Sequence, residues 1–254
     1  MLFGMKTILI TGCSSGFGLD AAKQFHERGW NVIATMRRPD SSVLPASERL
    51  RILPLDITDA ASIEALVTAA GPIDVLVNNA GVGLTGIVEG TTLDAVRATF
   101  ETNTFGTIAV TRAFLPQLRA AKGTIVNVSS SVTLMPLPLL AIYTASKAAL
   151  NAFTECLALE LASVGVTVKL VLPGRSPETS FSKNAMAHVQ QQGVALPEAY
   201  AGFMQEARER MMANRTALVT RSADVTEAIW RAVTDPASPA RIPAGADAVA
   251  LANR

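Results

Sequence analysis

Short runs rich in isoleucine and valine alternate with stretches of helical periodicity along most of the chain. No other feature limits the possible folds as much. Residues 7–11, Thr-Ile-Leu-Ile-Thr, read as a first strand that is apolar on both faces, and residues 16–28 as a helix stopped by Gly29. Further strands read at 31–36, 52–56, 73–78, 124–129 and 166–172. Between them lie a helix capped by Thr58 and running to Ala70, a long helix over 93–118 and another over 143–163. Strands alternating with helices in this way are parallel, joined by crossovers, and covered on both faces, which explains continuous rather than alternating apolar strands. The pattern predicts a doubly wound α/β sheet. After Pro173 it breaks. Residues 174–215 hold Pro177, Gly193, Pro197 and scattered apolar side chains without a clear strand. An irregular insertion of that length reads as a lid over a site, expected over 175–215. A helix over 223–233 and a weak strand over 241–243 close the pattern.

The 254 residues fit one domain (1–254), since no repeat, low-complexity tract or Pro/Ser-rich linker marks a boundary, and 49% apolar residues can bury a sizeable core. A net charge of +1 gives no reason to invoke nucleic acid as a partner. The apolar run at 134–142 is interrupted by Pro136 and Pro138, and no stretch reads as a membrane span. Residues 1–10 lack the basic region and long apolar run of a signal peptide. Cys13 and Cys156 do not make a disulfide framework. His26 and His188, the two histidines, sit in no ligand cluster, so no metal is expected. These features together lead us to expect a cytoplasmic protein.

The first strand runs straight into Thr11-Gly12-Cys13-Ser14-Ser15-Gly16-Phe17-Gly18, which opens a helix. Glycines permit a tight turn and let main-chain amides approach a pyrophosphate, and the helix N-terminus adds its partial positive charge. The expected occupant is a dinucleotide on a Rossmann-like sheet. A glycine-rich turn with no ligand is the alternative. At the end of the second strand, an acid would bind the ribose 2′-hydroxyl of NAD, whereas an arginine accommodates the 2′-phosphate of NADP. The chain has Met36-Arg37-Arg38 there. Arg37 and Arg38 therefore point to NADP(H), unless they are simply two solvated surface charges.

Tyr143 and Lys147 stand four apart at the start of a predicted helix and share one face. A neighbouring ammonium stabilises a phenolate, so Tyr143 is a candidate acid/base. Ser130 ends the fifth strand, at the sheet edge where such folds place ligands, and can hold a substrate oxygen. Taken singly, each also fits an ordinary helix face or strand-end turn.

The ordered set of motifs resembles the short-chain dehydrogenase/reductase family in its shorter, single-domain form, over nearly the whole chain. Thr11–Gly18 is similar to that family's T-G-x-x-x-G-x-G loop. Asn78-Asn79-Ala80-Gly81 resembles its N-N-A-G motif, and Tyr143-Thr144-Ala145-Ser146-Lys147 its Y-x-A-S-K. Ser130 precedes Tyr143 by 13 positions, Asn103 matches the catalytic asparagine, and Pro173-Gly174 the P-G after the sixth strand.

The resemblance implies that Tyr143 protonates the carbonyl oxygen, Lys147 binds the nicotinamide ribose and lowers the tyrosine pKa, and Ser130 orients the carbonyl. Asn103 would hold a water leading to Lys147, or else be a core amide that distorts its helix. Gly12, Ser14, Ser15, Gly16, Phe17 and Gly18 would cradle the cofactor, Arg37 and Arg38 would meet its 2′-phosphate, and Asp56 and Ile57 would flank the adenine. Asn79, Ala80 and Gly81 would line it through the backbone. Near the nicotinamide stand Pro173, Gly174 and Thr179. The loop from Pro173 to Thr179 is one residue longer than the family pattern, so Ser176 and Thr179 compete for the last contact.

Substrate choice is expected from 132–142, with Leu134, Met135, Leu137, Leu139 and Leu140, and from the lid, with Phe181, Met186, Val189, Tyr200, Phe203, Met204, Met211 and Met212. Such side chains suit an apolar ketone, aldehyde or secondary alcohol of steroid, retinoid or aryl-ketone type, or else pack the lid onto the core. The leading expectation is an NADPH-dependent carbonyl reductase that forms a homo-oligomer (dimer or tetramer). A sugar-nucleotide epimerase would need a larger C-terminal domain. A non-enzymatic NADP-binding redox sensor or interaction protein is the alternative on the same fold.

Overall fold

A computed structural model describes residues 5–191, 195–213 and 218–253. In chain order its elements are β1 (Thr7–Ile10), α1 (Gly16–Glu27), β2 (Asn31–Met36), β3 (Leu50–Pro54), α2 (Ala60–Ala70), β4 (Val75–Asn78) and α3 (Leu93–Phe100). A π-helical segment (Glu101–Gly106) leads into α4 (Thr107–Ala121), β5 (Thr124–Val128), α5 (Ala141–Ala162) and β6 (Thr167–Pro173). The remainder comprises α6 (Phe181–Gln191), α7 (Ala201–Ala213), α8 (Ser222–Thr234), β7 (Arg241–Ala244) and α9 (Ala246–Ala252). Among the described residues, seven strands make one sheet in the order β3-β2-β1-β4-β5-β6-β7, every neighbouring pair parallel. Winding reverses between β1 and β4, and a crevice opens at the carboxyl ends of the strands there. No helix among the described residues is long and apolar enough to cross a membrane.

Each face of the sheet has its own core. Phe25 of α1 and Val225 and Ile229 of α8 pack on Ile8, Val126 and Val171. On the other face, Leu66 of α2, Val110, Phe114 and Leu118 of α4 and Leu157 of α5 pack on Leu9, Leu76 and Ile125. Burying each such side chain stabilises the fold by about 1.5–3 kcal/mol, which is why β1, β4 and β5 are apolar on both sides.

Several boundaries differ from the sequence reading. β3 begins earlier, at Leu50, because it pairs with β2 from Val32↔Leu50 to Met36↔Pro54. The cap of α2 is Asp59, whose carboxylate accepts from Ala61 N at 2.9 Å, and not Thr58, whose hydroxyl donates to Asp56. The long helix over 93–118 is interrupted by the π segment. Its buried residues Ala95, Thr99, Asn103, Thr107 and Thr111 recur every four positions, wider than the 3.6 of an α-helix. Over four turns that spacing outruns an α-helix by more than one residue, and the wider π turn absorbs the excess.

The stretch after β6, expected to be irregular, is largely helical. Phe181, Ala185 and Val189 fall on one face of α6, while Pro177 and Pro197 bound the helical pieces rather than break them. Residues 192–194 and 214–215 of the expected lid lie outside the described residues, as do the side chains of Met211 and Met212. The short α9 extends the helical content beyond the pattern read in the sequence; it follows Gly245, whose φ of 98° turns the chain after β7.

Candidate active site

β1 ends in a loop that only glycine can build. Gly12 and Gly16 have φ of 76° and 61°. A Cβ on Gly12 would lie 2.8 Å from Ala80 Cα, and one on Gly18 would overlap the Gly12 carbonyl and the Asn79 amide. Asn79 Nδ2 donates to Thr11 O and Gly12 O at 3.0 and 3.2 Å, and Thr11 Oγ1 accepts from the main-chain N–H of Asn79 and Ala80. The ends of β1 and β4 are thereby stitched together.

Ser15 sits at the N-cap of α1 without a side-chain cap bond, whereas Asp59 caps α2 and Thr92 caps α3. The first amides of α1 thus lack a side-chain cap, and the partial positive charge of such a helix N-terminus is what an anion site uses. Ser14 is exposed beside them and Phe17 is partly buried against the core. Arg37 and Arg38 are exposed at the end of β2. Asp56 accepts from Thr58 N and Oγ1 at 3.0 and 2.7 Å; these bonds, with a smaller contribution from Arg37, hold its carboxyl below the usual carboxylate range. Ile57 is buried against Gly106.

The loop after β5 and the first two turns of α5 bring Ser130, Tyr143 and Lys147 together. Tyr143 is only 6% exposed, and burial pushes its phenol up to about 12, while a hydrogen bond with the Ser130 side chain pulls it back. Of these two influences on the phenol, burial is the larger. The Lys147 ammonium is held by the Val128 carbonyl at 3.1 Å, and burial brings its pKa down to about 8. Gly81 lies against both Lys147 Nζ and Asn103 Oδ1.

Asn103 is fully buried in the π segment. Its Nδ2 donates to Val82 O at 2.9 Å and to Ser146 Oγ at 3.1 Å, and its Oδ1 accepts from Val82 N at 2.8 Å. Both amide hydrogens are engaged by protein, so the side chain ties the loop after β4 to α5.

Beyond β6, Gly174 N is bonded to Thr220 Oγ1 and Ala244 O, and Arg175 N donates to Asp247 Oδ2 at 2.6 Å. Ser176 Oγ is buried with no hydrogen-bond partner among the described residues. Thr179 donates to Ser176 O at 3.1 Å and is the side chain that faces Gly16. A cleft of about 300 Å³ opens there, lined by Gly16, Asp20, Glu178, Thr179, Ser180 and Ser222.

The segment then returns over the site. The Phe181 ring lies 5.8 Å from that of Tyr143, and Gly83 leaves room for Phe181 and Ala185, each of which a Cβ there would crowd. Ala195 N donates to Gly90 O at 2.8 Å and Tyr200 Oη to Glu89 Oε2 at 2.9 Å. Val189, Tyr200 and Met204 are partly buried, while Met186 and Phe203 are 68% and 44% exposed. Leu134, Met135, Leu139 and Leu140 are partly buried ahead of α5 and Leu137 is exposed; Leu139 adopts a left-handed φ of 66° and accepts from Gly86 N.

Gly83, Glu89, Thr133, Asn151, Thr220 and Asp247 were not singled out from the sequence. For Asn151 a signal existed: it continues the four-residue spacing of Tyr143 and Lys147 along one helix face. For Gly83, Glu89, Thr220 and Asp247 the partners are distant in sequence.

The family described as short chain dehydrogenase matches residues 6–190. The chain is 40% identical over 195 residues to an uncharacterised oxidoreductase, YusZ, of Bacillus subtilis (strain 168), a match covering 72% of this chain and 69% of the relative. It is 38% identical over 184 residues to a 3-ketodihydrosphingosine reductase of Bacteroides thetaiotaomicron, covering 70% of this chain and 66% of that one. Among solved structures, a short chain dehydrogenase from Burkholderia cenocepacia J2315 in complex with NADP superposes with a TM-score of 0.77 at 28% identity, covering 100% of this chain and 93% of that one.

Proposed function

The chain belongs to the short-chain dehydrogenase family, and from that premise we propose that it is an NADPH-dependent carbonyl reductase acting on apolar ketones and aldehydes, or on the corresponding secondary alcohols. The observation that carries this reading is the meeting of Ser130, Tyr143 and Lys147 at the carboxyl edge of the sheet, beside a glycine cradle at an uncapped helix N-terminus.

The residues present fit a nicotinamide dinucleotide: the cradle has no room for side chains, the first amides of α1 lack a cap, and Ser176 Oγ is orphaned nearby. When bound, that cofactor supplies or accepts the hydride. Gly12, Ser14, Ser15, Gly16, Phe17 and Gly18 hold its pyrophosphate, and Asn79, Ala80 and Gly81 line it. Asp56 and Ile57 would flank its adenine, Lys147 would take the ribose hydroxyls, and Pro173, Gly174 and Thr179 would serve the nicotinamide end. Ser130 donates to the carbonyl oxygen of the substrate, and Tyr143 passes its proton to that oxygen as negative charge develops. A phenol near 12 carries its proton throughout the neutral range, as an acid for reduction must. Asn103 acts by position, through Val82 and Ser146.

Tyr143→Phe is expected to cut turnover by about 10²- to 10⁴-fold while NADPH binding, followed by nicotinamide fluorescence, persists. Full activity in that variant would overturn the mechanism.

Preference for NADP rests on Arg37 and Arg38 and on the lack of an acid after β2, and NADP in the Burkholderia structure supports it. Arg37→Asp should weaken NADPH binding at least tenfold while sparing NADH, since a forked charge-assisted contact is worth roughly 1.5–3 kcal/mol. Equal losses for both cofactors would remove the preference.

An apolar substrate is supported by Phe181 on Tyr143 and by the keto-reductase relative. Exposed Leu93, Phe105 and Leu159, at 68%, 54% and 81%, support a homo-oligomer formed through the long helices. Free Cys13 and Cys156 support a reducing, cytoplasmic setting.

A further inference from the structure

Three side chains on one face of α5, each four residues from the last, reach the same place. Tyr143 and Lys147 belong to the proposed chemistry, and Asn151 is the third. It is 7% exposed and both ends of its amide are engaged with the loop after β5. Its Oδ1 accepts from Ser129 Oγ at 2.5 Å, and its Nδ2 donates to Thr133 Oγ1 at 2.9 Å. Thr133 donates in turn to the Ser130 carbonyl at 2.9 Å. Because the one hydroxyl hydrogen of Thr133 goes to Ser130, Asn151 must present its NH₂ there, which fixes the direction of the chain. Asn151 thus grips the residue before Ser130 and, through Thr133, the peptide of Ser130 itself. On its other side the Ser130 hydroxyl accepts a long 3.4 Å contact from Val132 N.

We propose that Asn151 and Thr133 are positioning residues that clamp the Ser130 loop onto α5 and so set the Ser130 hydroxyl against the Tyr143 phenol. This rests on the reading of Ser130 and Tyr143 as the groups that meet the substrate oxygen. Helix α5 then carries the acid/base, its cationic neighbour and the device that locates their serine partner on one rigid face. Among the described residues, uncharged Ser130 from the loop and uncharged Phe181 from α6 meet the Tyr143 side chain, and Lys147 stands one turn along the same helix.

The test compares Thr133→Val, which is near-isosteric but can neither accept from Asn151 nor donate to Ser130, with Thr133→Ser, which can do both, and with Asn151→Ala and Ser130→Ala. Turnover is measured in the alcohol-oxidation direction against pH, and NADP binding separately. Loss of the clamp is expected to lower kcat about 10- to 100-fold, the scale of a small misplacement of a reacting group, with NADP binding unchanged. The rise of kcat with pH should be displaced to higher pH, because the Ser130 bond is what draws the phenol back from the level set by burial. Thr133→Ser should restore both. Near-normal kcat and an undisplaced rise with pH in Thr133→Val and Asn151→Ala, with Ser130→Ala inactive, would overturn the clamp alone. So would a Thr133→Val protein that loses folding and NADP binding together, which would mark a purely structural role. Full activity in Ser130→Ala would instead overturn the reading on which the clamp rests.

Discussion

The loop after β1 and the segment after β6 approach the same crevice but are built on opposite principles. The first is made of backbone. Its glycines are locked by φ and by contact with Ala80, Asn79 and one another, and its neighbours are fully buried strands. The second is made of helices and the turn between them, which touch the body at separate points that include Phe181 and Ala185 at Gly83, Ala195 at Gly90 and Tyr200 at Glu89. Much of its apolar surface, Met186 and Phe203 included, remains exposed. A site can hold its cofactor rigidly and still vary its substrate when the two tasks fall to regions with such different numbers of constraints.

Gly18→Ala should break the first region outright. The added methyl would overlap both a carbonyl and an amide, one of them backbone, and the cost should exceed the ~3 kcal/mol upper end of ordinary overpacking. Thermal melting would show a destabilised protein without NADP affinity; unchanged stability would mean that the cradle is as pliable as the segment after β6.

The matching change in the second region, Phe181→Ala, should leave melting within about 1 kcal/mol of the parent, because the side chain is 39% exposed. KM for an apolar ketone should rise about tenfold, the scale of one or two lost methylene contacts, at constant NADPH affinity. A fall in NADPH affinity would erase the division of labour.

The third effect concerns protons held between the two regions, and at any one pH near neutrality it is small. Burial puts Lys147 near 8, below its ordinary value of 10.5, so the unfolded chain binds more protons between those pH values and stability rises with pH across that window. Tyr143 has the opposite sign. Its folded pKa, about 12, lies above the ordinary 10, so its contribution is intact below pH 10 and is lost as pH climbs toward 12. Lys147→Met should flatten the rise between pH 8 and 10.5 by at most about 1.4 kcal/mol per pH unit in urea titrations. An unchanged slope would show that the ammonium is better solvated than its burial implies.

Strand and helix order was legible because periodicity depends on local sequence, and the glycine loop and the Tyr143–Lys147 pair because their spacing is itself the chemistry. Thr58 reads as a cap in the sequence because Asp56, Thr58 and Asp59 all compete for the same turn, and geometry shows which carboxylate reaches Ala61. The helices after β6 were hidden by prolines that bound them. The elevated phenol of Tyr143 is not legible in its spacing to Lys147, since desolvation depends on everything packed around the ring, Phe181, 38 residues away, included. Contacts such as Asp247 to Arg175 join residues far apart in the chain and leave no local trace.

The π segment makes chain length itself a variable of the site. Between Ala95 and Thr111 the helix carries one residue more than an α-helix needs to bring the same face back to the core. Deleting a single residue within 101–106 would let the stretch close into regular α-helix, with α3 and α4 still packed on the sheet. The register of the bulge would be gone, and with it the bonds that Asn103 makes to Val82 and Ser146. Insertions and deletions usually announce themselves by unfolding a helix. Here a deletion would improve the helix and disconnect the loop after β4 from α5, so natural chains that share this crevice are expected to preserve the residue count of 95–111 more strictly than its composition.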